Sequence, residues 1–185
     1  MTAGAQIHMW TAMTAFPIII APDPELKRVS LPVADVDDGV RGLMDDLLES
    51  MRAANGLGLA APQIGVLNRV IVVLLPPDND DEEPEPMFLA NPEIFWASDE
   101  TYKGEEGCLS LPDHYAEVRR PARVRVRYLD RGGEKVDLEL EGIAAKCIQH
   151  EMDHLDGVLF VDHLSALKRN IILRKLTKWK RQNAA

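Results

Sequence analysis

The residues with the clearest capacity for chemistry are Gln149-His150-Glu151-Met152-Asp153-His154, a His-Glu-x-x-His motif inside an apolar segment. Residues four apart on an α-helix share one face, so His150 and His154 can hold a single metal ion. Glu151 sits beside them, where a carboxylate could pass protons to and from a water activated by that metal. The motif is short and also arises as two histidines on a packed helix, so the rest of the chain must decide.

A catalytic site of this kind needs three protein ligands and an open position. In a His-Glu-x-x-His-x-x-Gly-x-x-His protease the third ligand would stand at position 160; Gly157 fits that pattern, but the residue there is Phe160. A downstream glutamate is not available, because no Glu follows Glu151. His163 lies just past the end of the expected helix and fits poorly. Cys147 shares the helix face of both histidines, but it stands about 10 Å along the axis from His154. It reads better as a small buried side chain beside the site. Cys108 remains, in Glu105-Glu106-Gly107-Cys108-Leu109-Ser110. A thiolate there would complete a Cys-His-His set, with Gly107 allowing close approach. A closed structural site using both cysteines is the alternative. It is disfavoured by the placement of Cys147 and by leaving Glu151 without a task.

The elements that must position these residues follow from periodicity. Ile143–Leu155 is apolar nearly all round, the pattern of a buried helix. Upstream, Val36, Val40, Leu43, Met44, Leu47, Leu48 and Met51 recur at three- and four-residue steps. They predict a helix capped by Asp35 or Asp37 and ended at Asn55-Gly56. Arg69–Leu75 reads as a buried strand, with short strands at Met87–Ala90 and Glu93–Ala97 on either side of Asn91-Pro92. Val124, Val126 and Tyr128 alternate with arginines, and Val136, Leu138 and Leu140 with acids. Asp130-Arg131-Gly132-Gly133 joins these two strands into a hairpin with opposite charges on its outer face. The expected fold class is α+β, with antiparallel strands around a central helix and a single domain over residues 1–185.

Composition sets the outer limits. The 185 residues, 46% hydrophobic and 28% charged, are those of an ordinary globular protein. No apolar run approaches the roughly 20 residues of a membrane span. Met1–Ala12 lacks the basic start and apolar core of a signal peptide and reads as a tail or early-start extension. Two cysteines are too few for a disulfide framework, which points to a reducing, cytoplasmic setting. A net charge of −9 argues against general nucleic-acid binding, DNA included, but the charge is uneven. Asp78–Glu85 is acidic and expected to be a solvated loop, whereas Lys168–Arg181 holds seven Lys/Arg and no acid.

Three segments, in order, resemble the signature of peptide deformylases: Gly56-Leu57-Gly58-Leu59-Ala60-Ala61-Pro62-Gln63, Glu106-Gly107-Cys108-Leu109-Ser110 and Gln149–His154. Asn91-Pro92 and Leu155-Asp156-Gly157 are similar to that family as well, and the likeness runs from about Phe16 into the basic C-terminal segment. The resemblance implies removal of the N-terminal formyl group from new polypeptides, with release of formate. It implies one divalent metal, Fe2+ in many bacterial members, with Zn2+, Ni2+ or Co2+ able to take its place. It implies Cys108, His150 and His154 as ligands, Glu151 as acid/base, and Gln63 with the Leu109 backbone N–H as the oxyanion site. The implied fold is a central metal-binding helix within antiparallel sheet, with an N-terminal and a C-terminal helix.

The pocket for the first side chain would be formed by Leu57, Gly58, Gly104, Glu106, Gly107, Ile143, Lys146 and Cys147. Two of these depart from the family, since Gly104 and Lys146 stand where apolar or uncharged side chains are usual. They raise an altered preference for the first side chain, or a hydrolase acting on another formyl or acyl substrate. A lysine there needs a partner or a route to water, since an unpaired buried charge is costly. Leu164–Arg181 reads as a basic helix with Leu164, Leu167, Ile171, Ile172 and Leu176 at helical spacing. In similar bacterial enzymes such a helix docks on the ribosome; otherwise it is a solvated helix held by one apolar stripe. A non-catalytic ribosome-associated or metal-binding protein is the third reading. The presence of Glu151 and Gln63 argues against it.

Overall fold

The apolar segment that carries both histidines forms helix α2 (Gly142–Leu155), and the other elements are laid around it. The computed structural model describes residues 15–75 and 84–183. The expected extension Met1–Ala12 and most of the acidic run Asp78–Glu85 lie outside the described residues. In chain order the elements before α2 are α1 (Asp38–Ala53), β1 (Gly58–Ala60), β2 (Val70–Leu74), β3 (Pro86–Ala97), β4 (Thr101–Cys108), β5 (Leu111–Pro121), β6 (Arg123–Leu129) and β7 (Lys135–Glu141). Helix α3 (Ala166–Asn183) follows α2. The architecture is α+β. One antiparallel sheet has the order β1-β2-β3-β6-β7, and β4 pairs with β5 in a separate two-stranded sheet.

The five-stranded sheet is covered on both faces, which explains the unbroken apolar run of β2. Side chains alternate across a strand. Ile71 and Val73 therefore join Leu89, Val124 and Val126 against Ala145, Ile148, Met152 and Leu155 of α2. Val70 and Val72 face the opposite way, onto Leu43, Met44, Leu47 and Met51 of α1. Burying each such side chain stabilises the fold by roughly 1.5–3 kcal/mol. Asp37 caps α1 by accepting from Val40 N at 2.9 Å, and Asn55 ends it in the left-handed region at φ 54°.

Strand β7 runs directly into α2. The turn is made at Gly142, whose φ of 58° is open to glycine without the Cβ penalty of other residues. The expected β6–β7 hairpin is present, with Arg125 opposite Glu139 and Arg127 opposite Asp137 on its exposed face. A third apolar cluster joins Leu111 and Val118 of β5 to Phe160, Val161 and the fully buried Leu176, and so fixes α3 to the body.

Two expectations are corrected. Asn91-Pro92 does not break β3; the strand continues through it with a register shift between Ala90 and Glu93. Asn91 makes this possible by using its side chain as a strand partner, accepting from Val33 N at 2.9 Å and donating to Val33 O at 2.8 Å. The β4–β5 hairpin was not expected from the sequence, and it delivers Cys108 to α2.

Candidate active site

Cys108 ends β4, and the two-residue turn Leu109-Ser110 follows it. His150 and His154 come from successive turns of α2, their rings edge-on with centroids 5.1 Å apart. One donor atom from each of Cys108, His150 and His154 lies within 4.8 Å of the other two. Cys108 Sγ is 3.2 Å from His154 Nε2. Burial alone would raise the Cys108 thiol, but the two histidines outweigh it and bring its pKa down to about 5. At neutral pH the sulfur is a thiolate, the form that binds metals.

The residues around the cluster fit a metal centre. Glu106 accepts from His150 Nδ1 at 2.9 Å and from Arg120 Nε and Nη2 at 2.7 and 2.9 Å. Burial works against its charge, but Arg120 and His150 prevail and hold its pKa at about 2. An ionised Glu106 only accepts, so His150 carries its proton on Nδ1 and turns Nε2 to the cluster. This is the usual orientation of a metal-binding histidine. Arg120 also donates to Asp153 Oδ2 at 2.7 Å, which is 2.7 Å from His163 Nε2. His163 is thus part of this outer network and stands apart from the three-donor cluster. The roles of Arg120 and Asp153 are not legible in the motif spacing. The one available signal is that Val118 and Arg120, two apart on a strand, share its inward face.

Glu151 is buried, and its pKa is raised by that burial, with both histidines opposing. Among the described residues its Oε2 has no hydrogen-bond partner. A Cβ at Gly58 would lie 2.8 Å from Glu151 Cδ, so only glycine leaves room for this carboxylate. Gln63, from the turn Ala61–Ile64, fixes its amide by accepting from Ala60 N through Oε1 at 2.9 Å. Its Nε2 then points to Ser110 Oγ at 3.1 Å and Cys108 Sγ at 3.7 Å.

A cavity of about 590 Å3 opens over these groups. Leu57, Gly58, Gln63, Glu106, Gly107, Cys108, Leu109, Ile143, Lys146, Cys147, His150 and Glu151 all line it, and His154 is buried beneath. Cys147 is wall and not ligand, since the metal-type cluster does not include it and its Sγ lies 3.8 Å from Leu57 O. Burial pushes its thiol pKa up. The closed two-cysteine site is therefore excluded. Gly104 is a correction, because it does not line the cavity; the ring of Tyr102 occupies the place its side chain would take. Lys146 does line it and has both things it needed, an acceptor in Glu105 O at 3.0 Å and access to water.

The family model for polypeptide deformylase matches residues 15–170, most of the chain. The chain belongs to the polypeptide deformylase family. The peptide deformylase of Phenylobacterium zucineum is 58% identical over 161 residues, covering 87% of this chain and 94% of its own. Among solved structures, the peptide deformylase of Ehrlichia chaffeensis matches with a TM-score of 0.87 at 37% identity, over 93% of this chain and 100% of that one. A class I type b peptide deformylase from Acinetobacter baumannii, solved with Met-Ala-Ser bound, matches with a TM-score of 0.77 at 37% identity, over 82% and 99%. Deformylases are hydrolases, and this chain is an enzyme of that family. The deformylase match takes in the Gly56–Gln63 segment, Cys108 and all of α2, and it ends within α3.

Proposed function

We propose that this chain removes the formyl group from formylmethionyl ends of new polypeptides, using Cys108, His150 and His154 to hold one divalent metal ion. The observation that carries this reading is the convergence of those three donors below a cavity that also holds the Glu151 carboxylate. Iron(II) is the native ion, with zinc, nickel or cobalt able to replace it; one thiolate and two imidazoles suit such metals. A divalent ion held there would act as a Lewis acid, making a water more acidic and the formyl carbon more electrophilic.

The protein's own groups do the rest. Glu151 takes the proton of the attacking water and returns it to the departing amine, and its raised pKa suits both roles. Gln63 Nε2, on an amide held through Oε1 by the Ala60 N–H, donates to the charge that develops on the formyl oxygen, and the Leu109 backbone N–H is the second donor. Losing one such donor typically costs about 3 kcal/mol of transition-state stabilisation. Leu57, Ile143 and Cys147 give the first side chain an apolar wall.

The reading extends to a partner and a place. Lys168, Arg174, Lys175, Lys178 and Arg181 are exposed on α3, a basic face suited to ribosomal RNA. No helix among the described residues is long and apolar enough to cross a membrane. With both cysteines free, this supports work in the cytoplasm beside the ribosome.

The decisive test is formate release from formyl-Met-Ala-Ser by protein purified without oxygen and loaded with iron(II) or nickel. Turnover that vanishes in Glu151→Ala is expected. A fully metallated protein that releases no formate would overturn the reading.

A further inference from the structure

Lys146 lies one helical turn before His150, on the face of α2 that forms the cavity wall. Its Nζ reaches across to the β4 backbone and donates to Glu105 O at 3.0 Å. Among the described residues that carbonyl is its only hydrogen-bond or ion-pair partner. An ammonium has three N–H donors, so two remain open to water or to a bound group. The charge lies close to the apolar wall. The Cys147 thiol, pushed up mainly by burial and further by Glu151, is pulled back by Lys146. Among the residues that line the cavity, Lys146 is the one lysine or arginine.

A chain begun on formylmethionine brings one side chain to this wall, and oxidation to the sulfoxide is a common modification of that side chain. An all-apolar pocket would bury the sulfoxide oxygen without a partner, which disfavours its binding. We propose that Lys146 fits this cavity to first residues ending in a hydrogen-bond acceptor, so that the enzyme also deformylates chains beginning with formylmethionine sulfoxide. The inference rests on the deformylase reading and adds a substrate class to it. The sulfoxide sulfur is chiral, so one epimer directs its oxygen to the ammonium and the other does not.

The test compares kcat/KM for formyl-Met-Ala-Ser and for each separated sulfoxide epimer of it, on nickel-loaded wild type, Lys146→Met and Lys146→Arg. Wild type is expected to favour one epimer. The ratio of that epimer to the unoxidised peptide should fall about tenfold in Lys146→Met and be retained in Lys146→Arg, which keeps a charged donor. Calorimetric binding of the products Met-Ala-Ser and its sulfoxides should show the same shift without turnover. Formate from the unoxidised peptide with equal rates for both epimers, or with a ratio unmoved in Lys146→Met, would overturn this inference alone. No formate from any of the peptides would overturn the deformylase reading and this inference with it.

Discussion

Glu106 accepts a 2.9 Å hydrogen bond from His150 Nδ1, and this bond decides which nitrogen of His150 meets the three-donor cluster. Arg120 holds the same carboxylate from behind with two bonds and is anchored in turn by Asp153. The chain of contacts turns the orientation of one imidazole into a property of the packing of two strands and a helix, since Glu106 is on β4, Arg120 on β5 and Asp153 on α2 beside His150.

Replacing Glu106 by glutamine tests that arrangement. The amide keeps the shape but loses the charge, so His150 Nδ1–H and the Arg120 guanidinium compete for a weaker acceptor. Metal affinity is expected to fall about 10- to 100-fold, as for other outer partners of metal-binding histidines. Titration against a chelator measures this. Because Arg120 is 6% exposed and would keep Asp153 as its one ionised partner, stability should also drop by about 3–5 kcal/mol. Wild-type metal affinity in Glu106→Gln would show that His150 is oriented by something else.

Gly58→Ala should separate positioning from metal binding. Its new Cβ would lie 2.8 Å from Glu151 Cδ, forcing the carboxylate to move, while Cys108, His150 and His154 are untouched. A displacement of about 1 Å in a catalytic group can lower the rate about 100-fold. We expect kcat to fall by that order with full metal content by elemental analysis. Normal turnover in Gly58→Ala would mean that the position of Glu151 is not critical.

Much of this site is legible in the sequence because periodicity is strong where an element is buried. The helical spacing within Ile143–Leu155 and the alternation in β6 and β7 mark α2 and its neighbouring hairpin. The β4–β5 hairpin gives no such signal. Its segment Thr101–Cys108 contains two glycines and two glutamates, and its packing partner is one small sheet and not a broad apolar face. Arg120 reads as surface charge in Arg119-Arg120, and only the fold shows it enclosed between two acids. Gly104 failed as a pocket residue for a related reason, since the position of the Tyr102 ring cannot be read from spacing.

Asp23 links the N-terminal segment to α3 and makes stability depend on pH. Its carboxylate accepts from Glu25 N, the larger cause of its lowered pKa, and from Lys180 Nζ at 3.2 Å, while burial opposes. A carboxyl depressed in the folded state stabilises fully above the unfolded value of about 3.9, and that contribution is lost as pH falls through the lower folded value. The pair is partly exposed and screened, so its contribution is below about 1 kcal/mol. Asp23→Asn should melt slightly below wild type at pH 6, and the two curves should converge near pH 2. A difference that persists undiminished at pH 2 would rule out the charge as its source.

The basic face of α3 calls for a test that leaves the helix in place. Deleting it would remove Leu176, which is fully buried against Phe160 and Val161, so a lost interaction could reflect a damaged fold. Arg174, Lys175 and Lys178 are exposed and lie outside the catalytic cavity. Changing all three to glutamine keeps good helix formers and removes three charges. If α3 meets ribosomal RNA, each lost phosphate contact should lower the slope of log affinity against log salt by roughly 0.7–0.9. Co-sedimentation with ribosomes should weaken most at low salt, and formate release from a short free peptide should stay at the wild-type rate. Equal co-sedimentation of the variant and wild type at every salt concentration would take this face of α3 out of the interface. A lower rate on the free peptide would instead mean that α3 supports the active site through the apolar cluster it shares with Leu111, three residues beyond Cys108.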